Sequence, residues 1–132
     1  MITYQTKIKL HETDAAGVLF FVNQLKIVHD AFEVLLESIG FAVAGLINEK
    51  DFLLPIVHSE SDYKLPLSVG DPVEVQTVVA DLGETSFTIA YTLLDAAQNI
   101  AGTARTVHVA VDKATHAKIP LPAELRKRLQ SL

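Results

Sequence analysis

The stretch His11-Glu12-Thr13-Asp14-Ala15-Ala16-Gly17-Val18-Leu19-Phe20-Phe21-Val22-Asn23 runs straight into a segment in which Leu25, Val28, Phe32, Leu35 and Ile39 recur at spacings of three and four. That spacing predicts a helix from about Val22 to Ile39, stopped by Gly40. Ile27, Ala31, Val34 and Leu36 widen its apolar arc, while Lys26, Asp30, Glu33 and Glu37 crowd into a narrow stripe. Most of the helix circumference must then be covered by protein, which makes the helix central. Asp14 ahead of it reads in two ways. It is a common turn former and can simply cap the loop. Alternatively, its carboxylate does chemistry beside the free backbone N–H groups at the amino end of the helix, which can polarise a carbonyl, with Gly17 and its small neighbours allowing the tight turn between. A base next to an oxyanion site is the equipment of acyl transfer.

Outward from this stretch the period changes. Ile2, Tyr4, Ile8 and Leu10 alternate with Gln5, Lys7 and Lys9, which predicts a strand over Ile2–Leu10 with one buried face. Ala42–Lys50 reads as a short second helix. Four more strands are expected over Leu54–Tyr63, Val73–Leu82, Ser86–Leu94 and Ile100–Val111, with turns between them, and a short amphipathic tail helix over Ala123–Gln130. One strand, one helix, then four strands is an α+β order. A curved antiparallel five-stranded sheet wrapped around the central helix satisfies both periods. The helix shows apolar surface on more sides than one sheet can shield, so a homo-oligomer is expected.

With 132 residues, 49% hydrophobic and 20% charged, the chain suits one globular domain over residues 1–132 with a single core. The absence of cysteine excludes a disulfide framework, a thiolate nucleophile and Cys-ligated metal. A net charge of −5 argues against nucleic-acid binding. The amino end has no signal-peptide pattern and no run is long enough to cross a bilayer, so a cytoplasmic protein without membrane association is expected. Charge is uneven: at the carboxyl end Lys113, Lys118, Arg126, Lys127 and Arg128 stand against Glu124 alone. That basic end is either a solvated surface or a seat for the phosphates of a nucleotide-bearing substrate. The five histidines show no metal spacing, and no Gly-x-Ser-x-Gly elbow, Walker loop or dinucleotide fingerprint is present, so neither metal nor cofactor is expected.

The segment Thr13-Asp14-Ala15-Ala16-Gly17-Val18 ahead of the helix, within this strand and helix order, resembles the hotdog-fold acyl-CoA thioesterases of the 4-hydroxybenzoyl-CoA thioesterase family. Asp14 to Phe21 with Asn23, the helix segment 27–33, the block Asp51-Phe52-Leu53-Leu54-Pro55-Ile56-Val57-His58, Val69-Gly70-Asp71 and Arg105-Thr106-Val107-His108-Val109 with 119–122 are most similar to the 1,4-dihydroxy-2-naphthoyl-CoA hydrolases of quinone biosynthesis. The resemblance spans nearly the whole chain. It implies that Asp14 is the catalytic carboxylate, as general base or nucleophile. It also implies that the backbone N–H near Phe21, reached through the Gly17 turn, polarises the thioester carbonyl, and that such chains form dimers or dimers of dimers. Many relatives carry His where this chain has Phe21, so an accessory histidine does not carry over; a more apolar pocket suits an aromatic acyl group.

Phe20 then reads as a pocket wall or plain core, Asn23 as a helix cap or a group that orients the Asp14 loop, and His58 beside Ser59 as a contact to a substrate hydroxyl or a structural histidine. By alternation His58 shares a face with Ile56, Glu60 and Asp62. His29 reads as structural. Arg105, on a strand face with Val107 and Val109, calls for an anion, either a carboxylate or a phosphate. Lys113, Lys118, Arg126 and Arg128 are the candidates for the phosphates of coenzyme A. Three rival readings remain: a thioesterase for 4-hydroxybenzoyl or short to medium fatty acyl groups; a non-catalytic acyl-CoA-binding hotdog protein, which would gain nothing from Asp14; and a dehydratase, of which His29 and Glu33 are a weak echo.

Overall fold

A computed structural model describes all residues, 1–132. The chain runs β1 (Ile2–Lys7), a single 3-10 turn (Leu10–Glu12), α1 (Phe21–Ser38), α2 (Val43–Asn48), β2 (Phe52–Leu53), β3 (Ile56–Tyr63), β4 (Pro72–Leu82), β5 (Ser86–Leu94), β6 (Ile100–Val109), β7 (Val111–Asp112) and α3 (Ala123–Gln130). Five strands form one sheet in the order β1-β4-β5-β6-β3, and every neighbouring pair is antiparallel. β2 and β7 pair separately at its margin. This is the expected five-stranded sheet around a central helix.

α1 is central because its apolar stripe has no other place to go. Ile27, Val28, Ala31, Phe32, Leu35 and Leu36 are buried in one cluster with Val73 and Val75 of β4, Phe87, Ile89, Tyr91 and Leu93 of β5, and Ala101 and Ala104 of β6. Each fully buried large side chain of this kind contributes about 1.5–3 kcal/mol of transfer free energy. Gly40, at φ +85°, ends the helix in the left-handed conformation that L side chains rarely adopt. Leu125 and Leu129 of α3 complete the cluster, and the Arg126 guanidinium fastens α3 by donating to the carbonyls of Gly83 and Glu84 in the β4–β5 turn.

Three expectations need correction. The first strand stops at Lys7, and Leu10 points into solvent at 76% exposure, because the chain turns through Leu10–Glu12 to begin the Asp14 loop. The strand expected over Leu54–Tyr63 begins only at Ile56, as β3, with the short β2 preceding it outside the expected span, and a bulge at Val57 puts Ile56 opposite His108 but His58 opposite Val107. The extra residue reverses the alternation there, so Ile56 and His58 lie on opposite faces. The uncovered apolar surface is also not spread around α1. On α1 itself the exposed large apolar side chains are those of the first turn, Phe21 and Val22, and the edge strand β3 exposes Ile56, Val57 and Tyr63.

Two polar features sit inside the core. Gln24, buried beneath the first turn of α1, donates from Nε2 to Ser61 Oγ at 2.8 Å and to the Asp62 carbonyl at 3.0 Å. It fits because residue 102 is glycine: a Cβ there would lie 2.7 Å from the Gln24 side chain and 2.9 Å from the Asp62 carbonyl oxygen. Deeper, Tyr91 Oη, Thr106 Oγ1 and His108 Nε2 form a chain with 2.8 Å at each link. The His108 ring is stacked between Phe32, at 4.1 Å between centroids, and Phe87, at 5.0 Å. Burial, with a smaller push from nearby His29, lowers the His108 imidazole to about 4, only partly offset by the Leu54 backbone carbonyl. Burial likewise pushes the Tyr91 phenol up to about 12, so both groups are neutral at pH 7.

Two stability measurements follow from these features. Gly102→Ala must displace backbone as well as Gln24, and urea unfolding should show a loss of about 1–3 kcal/mol; an unchanged midpoint would contradict the tight fit. The neutral His108 ring favours folding fully above the unfolded imidazole pKa of about 6.5 and loses that contribution as pH falls towards the folded value of about 4. Across that window the native chain should lose up to about 3 kcal/mol more than His108→Gln, which keeps an acceptor for Thr106 but does not titrate. Parallel stability curves would show that His108 is not held neutral.

Candidate active site

The Asp14 loop is a small closed structure whose bonds explain its sequence. Thr13 and Leu19 pair across it, Asp14 N–H donates to the Val18 carbonyl at 2.8 Å, and Gly17 N–H donates to the Asp14 carbonyl at 3.0 Å. Gly17 stands at φ +75°, while a Cβ there would meet nothing nearer than 3.9 Å; the backbone angle, and not space, calls for glycine. The loop is buttressed from outside by Val69 N–H, which donates to the Gly17 carbonyl at 2.9 Å, and by Leu19 N–H, which donates to the Leu67 carbonyl at 2.7 Å. The Val69-Gly70-Asp71 turn therefore supports the loop.

One carboxylate oxygen of Asp14 belongs to this turn. Oδ1 accepts from Ala16 N–H at 2.8 Å and Val18 N–H at 3.3 Å. Oδ2 accepts from no group of the chain, and Asp14 is exposed. The two readings of Asp14 are thus not exclusive: one oxygen caps the turn and holds the carboxylate in place, and the other keeps its lone pairs for chemistry.

The loop is tied to the first turn of α1. Phe20 N–H and the Asn23 side-chain amide both donate to the Glu12 carbonyl, at 3.0 and 2.9 Å. Glu12 is itself buried, with Oε1 accepting from Lys9 N–H at 2.8 Å. Asn23, the third residue of the helix, thereby orients the loop; the capping position is held by Phe20, whose side chain offers no acceptor, and the N–H of Phe21 has no acceptor in the chain. It sits at the positive end of an eighteen-residue helix. The Phe21 carbonyl accepts from Tyr63 Oη at 2.9 Å, which pins the peptide that follows it to the end of β3.

Two clefts open on either side of this turn. One, of about 280 Å³, lies between the loop residues Val18 and Leu19, the helix residues Phe21 and Gln24, and the segment Tyr63–Leu67. The other, of about 360 Å³, follows α1 past Val22, Asn23, Leu25, Lys26 and His29 and is closed by Ile56 and Ser59 of β3 and Thr106 of β6. Asn23 and Ser59 are thus brought into one groove beside the helix start. Phe20 is not core: it is exposed and packs on Phe21 at 4.9 Å between ring centroids.

His58 lies elsewhere in the protomer. The bulge at Val57 turns it to the outer face of the sheet, where it stands 3.9 Å from Glu60, away from the groove that Ser59 lines. Arg105 is on the same outer face, paired in register with Glu60. The basic residues do not form one cluster. Lys113 donates to the Ile47 carbonyl, Arg126 holds Gly83 and Glu84, Arg128 pairs with Glu124 at 3.0 Å, and Lys118 makes no polar side-chain contact within the chain. Arg126 lies by the β4–β5 turn, whereas the Asp14 loop packs at the opposite end of the sheet, against Leu67, Ser68 and Val69.

Gln24, Tyr63, Tyr91 and Thr106 join the site region without a sequence motif of their own. For Gln24 there was a signal, an amide at a helical position in phase with Ile27, Val28 and Ala31 on the buried stripe. No three of the His, Asp and Glu side chains gather into a metal-binding group. No helix is long and apolar enough to cross a membrane.

Comparison with known proteins agrees with this geometry over almost the whole chain. The chain is 35% identical over 128 residues to a 1,4-dihydroxy-2-naphthoyl-CoA hydrolase of Synechococcus elongatus, covering 96% of this chain and 93% of that protein. A protein of the same name from Rippkaea orientalis is 35% identical over 133 residues, with 99% and 96% covered. Among solved structures, a 1,4-dihydroxy-2-naphthoyl-CoA thioesterase from Synechocystis superposes with a TM-score of 0.91 at 30% identity, covering 98% of this chain and 96% of that one. A gentisyl-coenzyme A thioesterase superposes with a TM-score of 0.88 at 26% identity, covering 97% and 99%. The sequence profile of the thioesterase-like superfamily matches residues 8–129, and with its hotdog architecture the chain belongs to that family.

Proposed function

We propose that the protein is an acyl-CoA thioesterase that hydrolyses 1,4-dihydroxy-2-naphthoyl-CoA to 1,4-dihydroxy-2-naphthoate and CoA, a step of menaquinone or phylloquinone formation, in the cytoplasm. The observation that carries the reading is the pairing of a carboxylate oxygen without a partner, Asp14 Oδ2, with an unbonded helix-terminal N–H at Phe21, on a loop and a turn bonded to each other. A thioester carbonyl accepting from Phe21 N–H develops its oxyanion at the positive end of α1. Asp14 either takes the proton of an attacking water or attacks first to give an anhydride that water opens. The thiolate of CoA leaves without an acid. The relatives' names supply the acyl group.

The substrate has to be held by more than one protomer. The first turn of α1 and the edge strand leave Phe21, Val22, Ile56 and Tyr63 exposed around the two clefts. A second copy covering this edge would close them, which makes the active unit a homodimer or a dimer of dimers. Of the four basic candidates, Lys118 would then serve the CoA phosphates across subunits, since its ammonium has no other partner in the chain, whereas Lys113, Arg126 and Arg128 are engaged within it.

Two experiments test this. Free-thiol release from dihydroxynaphthoyl, 4-hydroxybenzoyl, benzoyl and fatty acyl-CoAs should favour the naphthoyl thioester, and Asp14→Asn should lower kcat by about a hundredfold or more; full activity in Asp14→Asn would remove Asp14 from the chemistry. Light scattering coupled to size exclusion should give twice or four times the 14.4 kDa chain mass. A monomer that turns over at full rate would overturn the shared site.

A further inference from the structure

The groove of about 360 Å³ along α1 is walled by the apolar Val22, Leu25 and Ile56 together with the polar Asn23, Lys26 and His29, and it has a polar floor. The floor is Ser59 and Thr106, which are direct partners across β3 and β6. Ser59 Oγ makes no hydrogen bond within the chain. Thr106 is the middle member of the buried chain, between Tyr91 and His108, and it alone of the three lines the groove. Nothing in the hydrolysis described above uses this chain of hydroxyls and imidazole. Three fully enclosed polar side chains under an apolar helix are costly unless every proton is placed, and such networks hold a single arrangement when they are satisfied.

The protons can be placed. Nε2 of His108 lies 2.8 Å from Thr106 Oγ1, and Nδ1 has no hydrogen-bond partner in the chain. With the neutral ring's proton on Nδ1, Nε2 accepts from the Thr106 hydroxyl. With its own proton committed, Thr106 Oγ1 accepts the Tyr91 O–H, and one lone pair is left. Thr106 is thus fixed as an acceptor at the groove floor. A Ser or Thr on an open surface rotates to suit either a donor or an acceptor; this one cannot.

We propose that Thr106, fixed by Tyr91 and His108 and joined by Ser59, recognises a hydroxyl on the aromatic ring of the acyl group, and so sets the enzyme's preference for hydroxylated aromatic thioesters. The inference rests on the thioesterase reading, because the groove begins at Val22, the residue after the Phe21 N–H that would hold the carbonyl. A ring attached to that carbonyl and laid along α1 carries its distal hydroxyl over the floor, where it donates to Thr106 Oγ1 while Ser59 Oγ donates to or accepts from it. A site that has buried an acceptor for a substrate hydroxyl discriminates against the analogue without one, since the acceptor is then left dry and unpaired. Tyr91 and His108 are positioning residues; they act through Thr106.

The test compares kcat/KM for 1,4-dihydroxy-2-naphthoyl-CoA with that for 2-naphthoyl-CoA, which has the same rings and no hydroxyl. The native enzyme should prefer the hydroxylated thioester by about tenfold or more, and Thr106→Val should reduce that ratio by about tenfold. Thr106→Ser, which keeps the hydroxyl, should restore the ratio; a merely structural threonine would not give that pattern. Ser59→Ala, on an exposed edge strand, should also lower the ratio and decides the matter if Thr106→Val does not fold. Equal losses on both substrates in Thr106→Val, or an unaltered ratio in the variants that fold, would overturn the proposal. A native enzyme that hydrolyses both thioesters equally well would overturn it while leaving the thioesterase reading intact, whereas a native protein that hydrolyses no acyl-CoA would remove the thioesterase reading itself.

Discussion

The seating of the first turn of α1 on the sheet sets the rest of the structure. Gln24 reaches down through the position where residue 102 would carry a side chain and bonds to Ser61 and the Asp62 carbonyl, while Tyr63 Oη holds the Phe21 carbonyl from the side. These contacts fix the height and rotation of the helix start more tightly than apolar packing alone, which tolerates sliding by small repacking. Everything functional is placed relative to that turn. The Phe21 N–H belongs to it, the Asp14 loop is bonded to it through Glu12, and the two clefts open on its two sides.

The elements were legible in the sequence because their periods are strong. α1 begins at Phe21 and ends at Ser38, within a residue of the expected bounds, and β5 and α3 match theirs at both ends. What the sequence hid was pairing. Val57 looks like any other strand residue, yet as a bulge it moves His58 to the outer face and brings Ile56 and Ser59 to the groove. Period-two reasoning fails after a bulge, and the site residues on β3 inherit the error. The basic tail shows a second limit. Composition counted Arg126 and Arg128 as available charge, whereas one is spent on backbone carbonyls and the other on Glu124.

Asp14 illustrates a third limit of another kind. From spacing, a turn-capping aspartate and a catalytic one compete as explanations. In the fold the two are compatible, because a carboxylate has two oxygens and the turn needs only one. Capping pre-organises the group: it restricts the side-chain torsions that a free surface aspartate would have to give up on meeting substrate. A residue type that reads as ordinary turn chemistry is therefore a good vehicle for catalysis, and local sequence statistics cannot separate the two uses.

Charge also bears on how the cycle ends. Hydrolysis converts an uncharged thioester into a carboxylate beside Asp14, on a chain of net charge −5. In the proposed site the Phe21 N–H and the α1 dipole would favour the carbonyl oxygen as it gains charge. Afterwards the product carboxylate keeps that attraction but faces a like charge at short range. Binding is thus strongest where charge is developing and weaker once it is fully formed, which is what rapid release of an acid product requires.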